Sequence, residues 1–154
     1  MRQELTVLIL SALPIAELRV SIPFAIGIFK FLPAKALVIA LIGNMIPIPF
    51  LWYGLPRLLR WAEAHSPRLH LFLQSRLRGL SDRNKKSYDR FGSLALAMFV
   101  AVPIPGTGVW AGTALAVIFG IRPKYAVPAL ILGDIVAGVI VTLATTGTIR
   151  IIAL

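Results

Sequence analysis

The chain has 154 residues, of which 58% are hydrophobic and 14% are charged, and its net charge is +10. A soluble domain is usually about 45–50% apolar and about 25% charged, so this composition indicates an integral membrane protein with room for roughly four membrane-length segments. Because there is no cysteine, disulfides, thiolate metal sites and cysteine nucleophiles are excluded.

The first apolar stretch runs from Leu5 to Phe29 and contains several residues that interrupt a membrane helix. They are Pro14, Glu17, Arg19, Pro23 and Gly27. The 25 residues of this stretch suffice for one full crossing but not for two. The stretch therefore either crosses once with a kink, or enters, turns near Pro14–Arg19 and leaves on the same side as a re-entrant hairpin. Non-helical backbone is tolerated at membrane depth only where it is buried in protein or lines a wet cavity.

Glu17 and Arg19 are the first candidate functional residues. Charges near the bilayer centre are costly, so such residues usually face the protein interior and mark a pathway. The prolines on either side, Pro14 and Pro23, favour a turning or extended backbone that would place both side chains on one side. We interpret Glu17 as a proton-coupling carboxylate and Arg19 as an anion-binding guanidinium, because the planar fork of arginine can bind two phosphate oxygens at once. The alternative is an ion pair that only pins the loop.

The second span runs from Pro33 to Tyr53, and a basic linker, residues 56–91, follows it. Pro33 opens the span, as prolines often open helices, and Pro47 and Pro49 should bend its far end. The linker holds nine of the sixteen Lys and Arg residues against three acids, which is typical of a cytoplasmic loop under the positive-inside rule. Because this positive charge is concentrated between membrane segments, we expect no nucleic-acid partner.

The linker divides into two parts. Residues 58–77 interleave apolar side chains with arginines and predict an amphipathic helix in the headgroup plane, in contact with anionic lipid headgroups; a solvated basic loop is the alternative. Residues 81–89 are almost wholly polar and should form a flexible connection. His65 and His70 lack metal-ligand spacing, so we expect no metal site, and no motif predicts a cofactor.

The second broken stretch, Gly92 to Gly120, is interrupted by two prolines and two glycines. The prolines lack backbone donors, and the glycines permit positive φ and close backbone approach. A helix that begins near Val109 would point its N-terminal amides at this break, and helix N-termini attract anions. The predicted substrate-binding residues, which would act with Arg19, are Pro103, Pro105, Gly106, Thr107, Gly108 and Trp110. A simple helix breaker is the alternative, and the missing P-loop lysine excludes nucleotide binding.

The last span runs from Pro123 to Thr148 and carries Asp134. This residue lies about ten residues, hence roughly 15 Å, into a helix opened by proline, and no basic residue follows it until Arg150. A carboxylate in such surroundings suits proton coupling. Asn44 occupies the equivalent place in the first half and is a supporting polar residue. The alternative for both is a helix-packing hydrogen bond.

Landmarks of the first half recur in the second half. The segment Leu13-Pro14-Ile15 corresponds to Val102-Pro103-Ile104 at an offset of 89, and Asn44 corresponds to Asp134 at an offset of 90. A single membrane domain therefore divides into repeat 1 (5–55), the linker and repeat 2 (92–150). Four crossings would make the repeats parallel, whereas two re-entrant hairpins plus two crossings would make them inverted. Both topologies place eleven Lys and Arg residues inside and four outside, so charge does not choose between them.

The segments ALPIAELR (12–19) and VPIPGTGVW (102–110) resemble the family of putative small multi-drug export proteins, a distant relative of the DedA/VTT membrane proteins. The resemblance runs over nearly the whole chain. It implies two re-entrant loops that face one another, each followed by a membrane-spanning helix, in inverted repeats. Glu17 and Arg19 match the Glu-Leu-Arg motif of the family, and 106–108 match its second loop. DedA-type relatives are implicated in moving lipids, including undecaprenyl phosphate, and in proton-dependent drug tolerance. The chain departs from the family pattern at Val20, since many members have a small residue directly after the Glu-Leu-Arg motif.

We therefore predict an all-α polytopic inner-membrane protein, in which inverted repeats of a re-entrant helical hairpin plus a transmembrane helix are joined by a basic amphipathic linker. The linker would be cytoplasmic. A homodimer is expected because so small a unit hardly encloses a pathway alone. The predicted function is that of a transporter or flippase for a small amphipathic anion, with proton coupling and no enzymatic activity. The alternatives are a holin-like pore or membrane assembly protein, and a membrane enzyme that acts on lipid phosphates.

Overall fold

A computed structural model describes residues 2–65, 85–104 and 106–152. In these ranges helices are the only regular secondary structure, which confirms the all-α prediction. The helices are α1 (Arg2–Ala12), α2 (Glu17–Gly27), α3 (Pro33–Met45), α4 (Pro47–His65), α5 (Lys85–Ala101), α6 (Val109–Ile118) and α7 (Pro123–Ile152).

Two helical segments among the described residues are long and apolar enough to cross a membrane. They are Pro33–Trp61, with a mean hydropathy of 1.8 over its best window, and Pro123–Ile149, with 2.2. At about 1.5 Å per residue both exceed the roughly 30 Å of a bilayer core. The first segment consists of α3 and α4, joined by a turn at Ile46. It continues beyond its predicted end at Tyr53 because Pro47 and Pro49 lie in the first turn of α4, where a missing N–H costs nothing.

The structure describes only part of the predicted linker. Residues 58–65 are helical as the end of α4, and residues 66–84 lie outside the described ranges. The prediction of a flexible connection over 81–89 is wrong for its last five residues, which form the first turns of α5. Asp89 explains the difference: its side chain is fully buried and pairs with Arg122.

Each broken stretch folds back, so that its two ends lie together. In the first half α1 packs on both α2 and α3, and Lys35 Nζ lies 2.6 Å from Glu4 Oε1. In the second half α5 packs on both α6 and α7, and Arg122 Nε lies 2.7 Å from Asp89 Oδ2. An ion pair therefore joins α1 to the start of α3 in the first half, and another joins α5 to the start of α7 in the second half.

The close helix contacts are also duplicated. A Cβ added to Gly43 on α3 would overlap the carbonyl oxygen of Leu8 on α1. A Cβ added to Gly133 on α7 would lie 2.6 Å from the carbonyl oxygen of Ala97 on α5. The glycines are 90 residues apart and their carbonyl partners 89 apart, so the repeat in the sequence is matched by a repeat in the packing.

The halves join through the long helices and the short ones beside the breaks. Helix α7 packs on α2 and α3, and α4 packs on α6. Gly138 lies in the α3–α7 contact, where an added Cβ would lie 2.7 Å from Leu37 Cδ1. One apolar cluster, around Ile22 and Ala137, lies in the α2–α7 contact, and another, around Val109 and Leu130, lies where α6 meets α7. The chain also buries several polar side chains, among them Glu17, Asn44 and Asp134.

Candidate functional site

The two helix breaks contact each other. The indole Nε1 of Trp110 donates to the carbonyl of Ala12 at 3.1 Å, and the Trp110 amide donates to Glu17 Oε1 at 3.4 Å. A Cβ at Gly108 would overlap the Glu17 carboxylate. Only glycine therefore lets the backbone at the start of α6 approach this carboxylate so closely.

Glu17 is held in an unusual backbone conformation at the first position of α2. Its φ is +47°, in the left-handed region that non-glycine residues rarely adopt, and only 5% of the residue is exposed. Gly106, which is 89 positions later, also has a positive φ, at +89°. Strained backbone of this kind clusters at functional sites, where the surrounding contacts maintain it. Here the carboxylate lies against the N-terminal end of α6, which favours a negative charge.

Arg19 connects the two breaks. Its Nη1 donates to Glu17 Oε2 at 3.0 Å, and its Nη2 donates to Thr107 Oγ1 at 2.9 Å and to the Val102 carbonyl at 3.4 Å. The Thr107 hydroxyl in turn donates to a carbonyl of its own loop, that of Val102 at 2.6 Å or Ile104 at 2.8 Å. Arg19 Nε is buried without a hydrogen-bond partner in the described part of the chain.

Arg19 also lines a cavity of about 600 Å³ between α2 and the C-terminal half of α7. The remaining lining residues are Pro23, Gly27, Pro103, Ile140, Val141, Ala144, Thr145, Thr148 and Ile149. The two threonine hydroxyls bond to carbonyls of their own helix. Among the described side chains that line it, the cavity therefore presents one guanidinium, that of Arg19, and an otherwise largely apolar wall, which is a surface suited to an amphipathic anion.

Asn44 and Asp134 bond to each other at the contact between α3 and α7. Asn44 Nδ2 donates to Asp134 Oδ1 at 2.7 Å, and each residue is 1% exposed. The other side-chain oxygens, Asn44 Oδ1 and Asp134 Oδ2, are buried without a hydrogen-bond partner among the described residues. The two equivalent positions of the halves thus meet.

The structure brings most of the predicted site residues together, but in two groups. Glu17, Arg19, Thr107, Gly108 and Trp110 form one cluster at the breaks, and Asn44 with Asp134 forms the second. Pro103 lines the cavity beside Arg19. Gly106 makes the turn, with open space beside its Cα, and Pro105 lies outside the described residues.

Two features of this region did not follow from the sequence. The amide of Trp110 faces Glu17, so the start of α6 is already next to an anion from the chain itself. Ser11 and Ser21 form a buried hydrogen bond of 2.6 Å between α1 and α2. Small hydroxyl residues are common on membrane helices, and nothing in their spacing distinguishes these two.

The comparison with protein families gives one match. A family model described as "putative small multi-drug export protein" matches residues 17–140, a range that begins directly after the first break and includes the second break and both buried polar clusters. No curated protein and no solved structure matches the chain. The family and the two long apolar helices together indicate a membrane protein. Because the match spans most of the sequence, the chain belongs to the family of putative small multi-drug export proteins.

Proposed function

We propose that this protein is a membrane transporter that moves a small amphipathic anion. The observation that carries the proposal is the cavity of about 600 Å³ beside Arg19. Its guanidinium would bind the anionic group, and the apolar wall of α7 would accept the hydrophobic part of the substrate. The export function of the family is consistent with this role. A charged side chain placed inside apolar surroundings is costly and usually functional.

The proposal includes proton coupling through Glu17 and Asp134. Glu17 pairs with the same guanidinium that would bind the substrate, so an anion that enters the cavity competes with this carboxylate for Arg19. Protonation of Glu17 would remove that competition. Asp134 has a neutral amide as its hydrogen-bond partner, which leaves its free oxygen available to take up a proton. The two carboxylates would thus link substrate binding to proton movement.

The proposed topology is that of re-entrant hairpins in inverted repeats. A single crossing of residues 5–29 would separate Glu4 from Lys35 by the bilayer core of roughly 30 Å, and a single crossing of 92–120 would separate Asp89 from Arg122. The ion pairs of 2.6 and 2.7 Å support a return of each stretch to its starting side. With residues 56–91 in the cytoplasm, both termini then lie on the opposite, outer side of the inner membrane. A second copy of the chain would close the open side of the cavity.

Labelling of single cysteines tests this topology, and the absence of native cysteine makes the background clean. We expect Lys35→Cys to react with a membrane-impermeant thiol reagent in intact cells, because it lies at the outer end of α3. Lys124→Cys should react only after the cells are permeabilised. The unsubstituted chain is the blank. Equal labelling of both variants in intact cells would mean four crossings and would remove the structural basis of the transport site.

Reconstituted vesicles distinguish a carrier from a pore and from an enzyme. We expect the protein to expose NBD-labelled phosphatidic acid from the inner leaflet to dithionite, while NBD-phosphatidylcholine stays protected and trapped carboxyfluorescein stays inside. Selectivity should follow from the Arg19 guanidinium in the cavity. Release of the dye would instead support a holin-like pore. Conversion of the labelled phosphatidic acid, seen by thin-layer chromatography, would support an enzyme acting on lipid phosphates.

A further inference from the structure

Two grooves occupy equivalent places in the two halves of the molecule. One, of about 520 Å³, lies between α1 and α3, and the other, of about 380 Å³, lies between α5 and α7. Their apolar lining residues correspond at offsets of 89 and 90. The pairs are Leu5 with Leu94, Leu8 with Ala97, Ile39 with Ala129, and Ile42 with Leu132. Because the two grooves are equivalent, the charged residues of the second groove can be compared directly with those of the first.

The polar ends of the two grooves differ in charge. In the α1–α3 groove the charged lining residues are Arg2 and Glu4, and Glu4 binds Lys35 at 2.6 Å, so a carboxylate lies beside the cations at the mouth. In the α5–α7 groove the position equivalent to Glu4 is held by Ser93, and Arg90 and Lys124 are the charged lining residues. No acid pairs with either of these two cations in the part of the chain that the structure describes.

The neighbouring acid does not neutralise this mouth. Asp89 is fully buried and is bound by Arg122, through both the side chain and the backbone amide. Arg90 and Lys124 are exposed, and Lys124 Nζ lies 5.1 Å from the ring centroid of Tyr125. Two exposed cations thus lie above an apolar groove, at the end of α5 that leads into the basic linker.

We propose that the α5–α7 groove is a binding site for an anionic glycerophospholipid. The phosphate would lie between Arg90 and Lys124, and one acyl chain would follow the groove past Leu94 and Ala97 to Leu132. From Arg90 to Ala97 the helix rises roughly 10 Å, which accommodates the first part of a chain. Basic pockets between membrane helices on the cytoplasmic side are suited to such headgroups. The long stems of arginine and lysine let the charges reach the headgroup level.

This site is separate from the proposed transport cavity. The groove uses the N-terminal third of α7, from Lys124 to Leu132, whereas the cavity beside Arg19 uses Ile140 to Ile149. The lipid would bind to the outside of the helix pair and hold the cytoplasmic end of α5 against α7. The inference therefore does not depend on what the cavity transports.

Native mass spectrometry of the detergent-solubilised protein tests the site with phosphatidylglycerol and phosphatidylcholine. We expect preferential binding of phosphatidylglycerol by the unsubstituted chain. The affinity should be approximately thirtyfold weaker in Arg90→Gln/Lys124→Gln, because each of the two basic residues near an anionic headgroup contributes about 1 kcal/mol. The matched control is Arg2→Gln/Lys30→Gln, which removes the same charge from exposed positions outside both this groove and the linker and should leave the affinity within about twofold. Equal losses in both double variants would mean diffuse attraction to a basic surface and would overturn the proposal, as would no loss in either.

A second variant tests the groove without changing charge. Ala97→Leu introduces the residue that Leu8 provides in the equivalent groove, so the fold has a precedent for it, and it should reduce phosphatidylglycerol binding by narrowing the chain path. Full displacement of the lipid by millimolar inorganic phosphate, together with unchanged binding in Ala97→Leu, would identify a site for free phosphate and would contradict a lipid site. Gel-filtration profiles and melting temperatures verify that each variant is folded.

Discussion

Arg19→Ala should reduce the flux of NBD-phosphatidic acid in reconstituted vesicles by roughly thirtyfold or more. The guanidinium lies beside the cavity and bonds to Glu17 and Thr107 on the two sides of the meeting breaks. Removing one member of a buried, hydrogen-bonded charge pair costs roughly 2–5 kcal/mol at a binding site. The measurement is the initial rate of dithionite quenching at equal amounts of reconstituted protein.

Two further variants separate loss of the site from loss of the fold. Arg19→Ala leaves the Glu17 carboxylate buried and unpaired, which destabilises a protein; Arg19→Ala combined with Glu17→Gln removes both charges and should recover the melting temperature but not the flux. Arg19→Lys keeps the charge but not the planar fork. Because Arg19 uses two different nitrogens for its two side-chain partners, we expect only partial flux with lysine.

The comparison variant for charge alone is Arg57→Ala. Arg57 is exposed on α4 and bonds to the Tyr53 carbonyl of its own helix, so its loss should leave flux unchanged. If Arg19→Ala transported the probe as fast as the unsubstituted chain, the role of Arg19 would be limited to holding the two breaks together. The cavity beside it would then have no part in transport.

Local features of the sequence were sufficient to predict most of the helices and the breaks. Proline and glycine act within a few residues, so the interruptions at 13–16, 102–104 and 106–108 appear where the residues place them. The apolar composition of 33–53 and 123–148 likewise predicts long helices, independent of any partner. The turn of Arg19 towards the second break was expected only from the family resemblance, because residue spacing says nothing about which surfaces meet across a break.

Contacts between distant parts of the chain account for what could not be predicted. Asp89 looked like a solvated linker residue, since nothing local indicates that Arg122 lies beside it. Glu17 was expected to face a pathway, and the structure also places it against the start of α6, which lies more than 90 residues later. Asn44 and Asp134 were predicted as equivalent polar positions. Their hydrogen bond adds that both lie on the contact between the halves.

Asp134→Asn should abolish the response of flux to a pH difference across the vesicle membrane while the protein stays folded. The asparagine keeps the shape of the side chain and can still bond to Asn44 through its carbonyl oxygen, so the α3–α7 contact is retained. It cannot take up or release a proton, however. The expected result is that the flux measured with an imposed pH difference falls to the level measured without one.

The repeat offers a stringent control for this variant, namely Asn44→Asp combined with Asp134→Asn. The exchange moves the carboxylate from α7 to α3 but preserves one carboxylate and one amide in contact, at positions that are equivalent in the two halves. If proton exchange at this contact drives transport, the exchanged protein should regain pH-dependent flux that Asp134→Asn has lost. If the pair only packs two helices, all three proteins should show the same pH response, and the role of Asp134 in coupling would be refuted. The carboxylate would then serve the α3–α7 contact alone, and proton coupling, if present, would depend on Glu17.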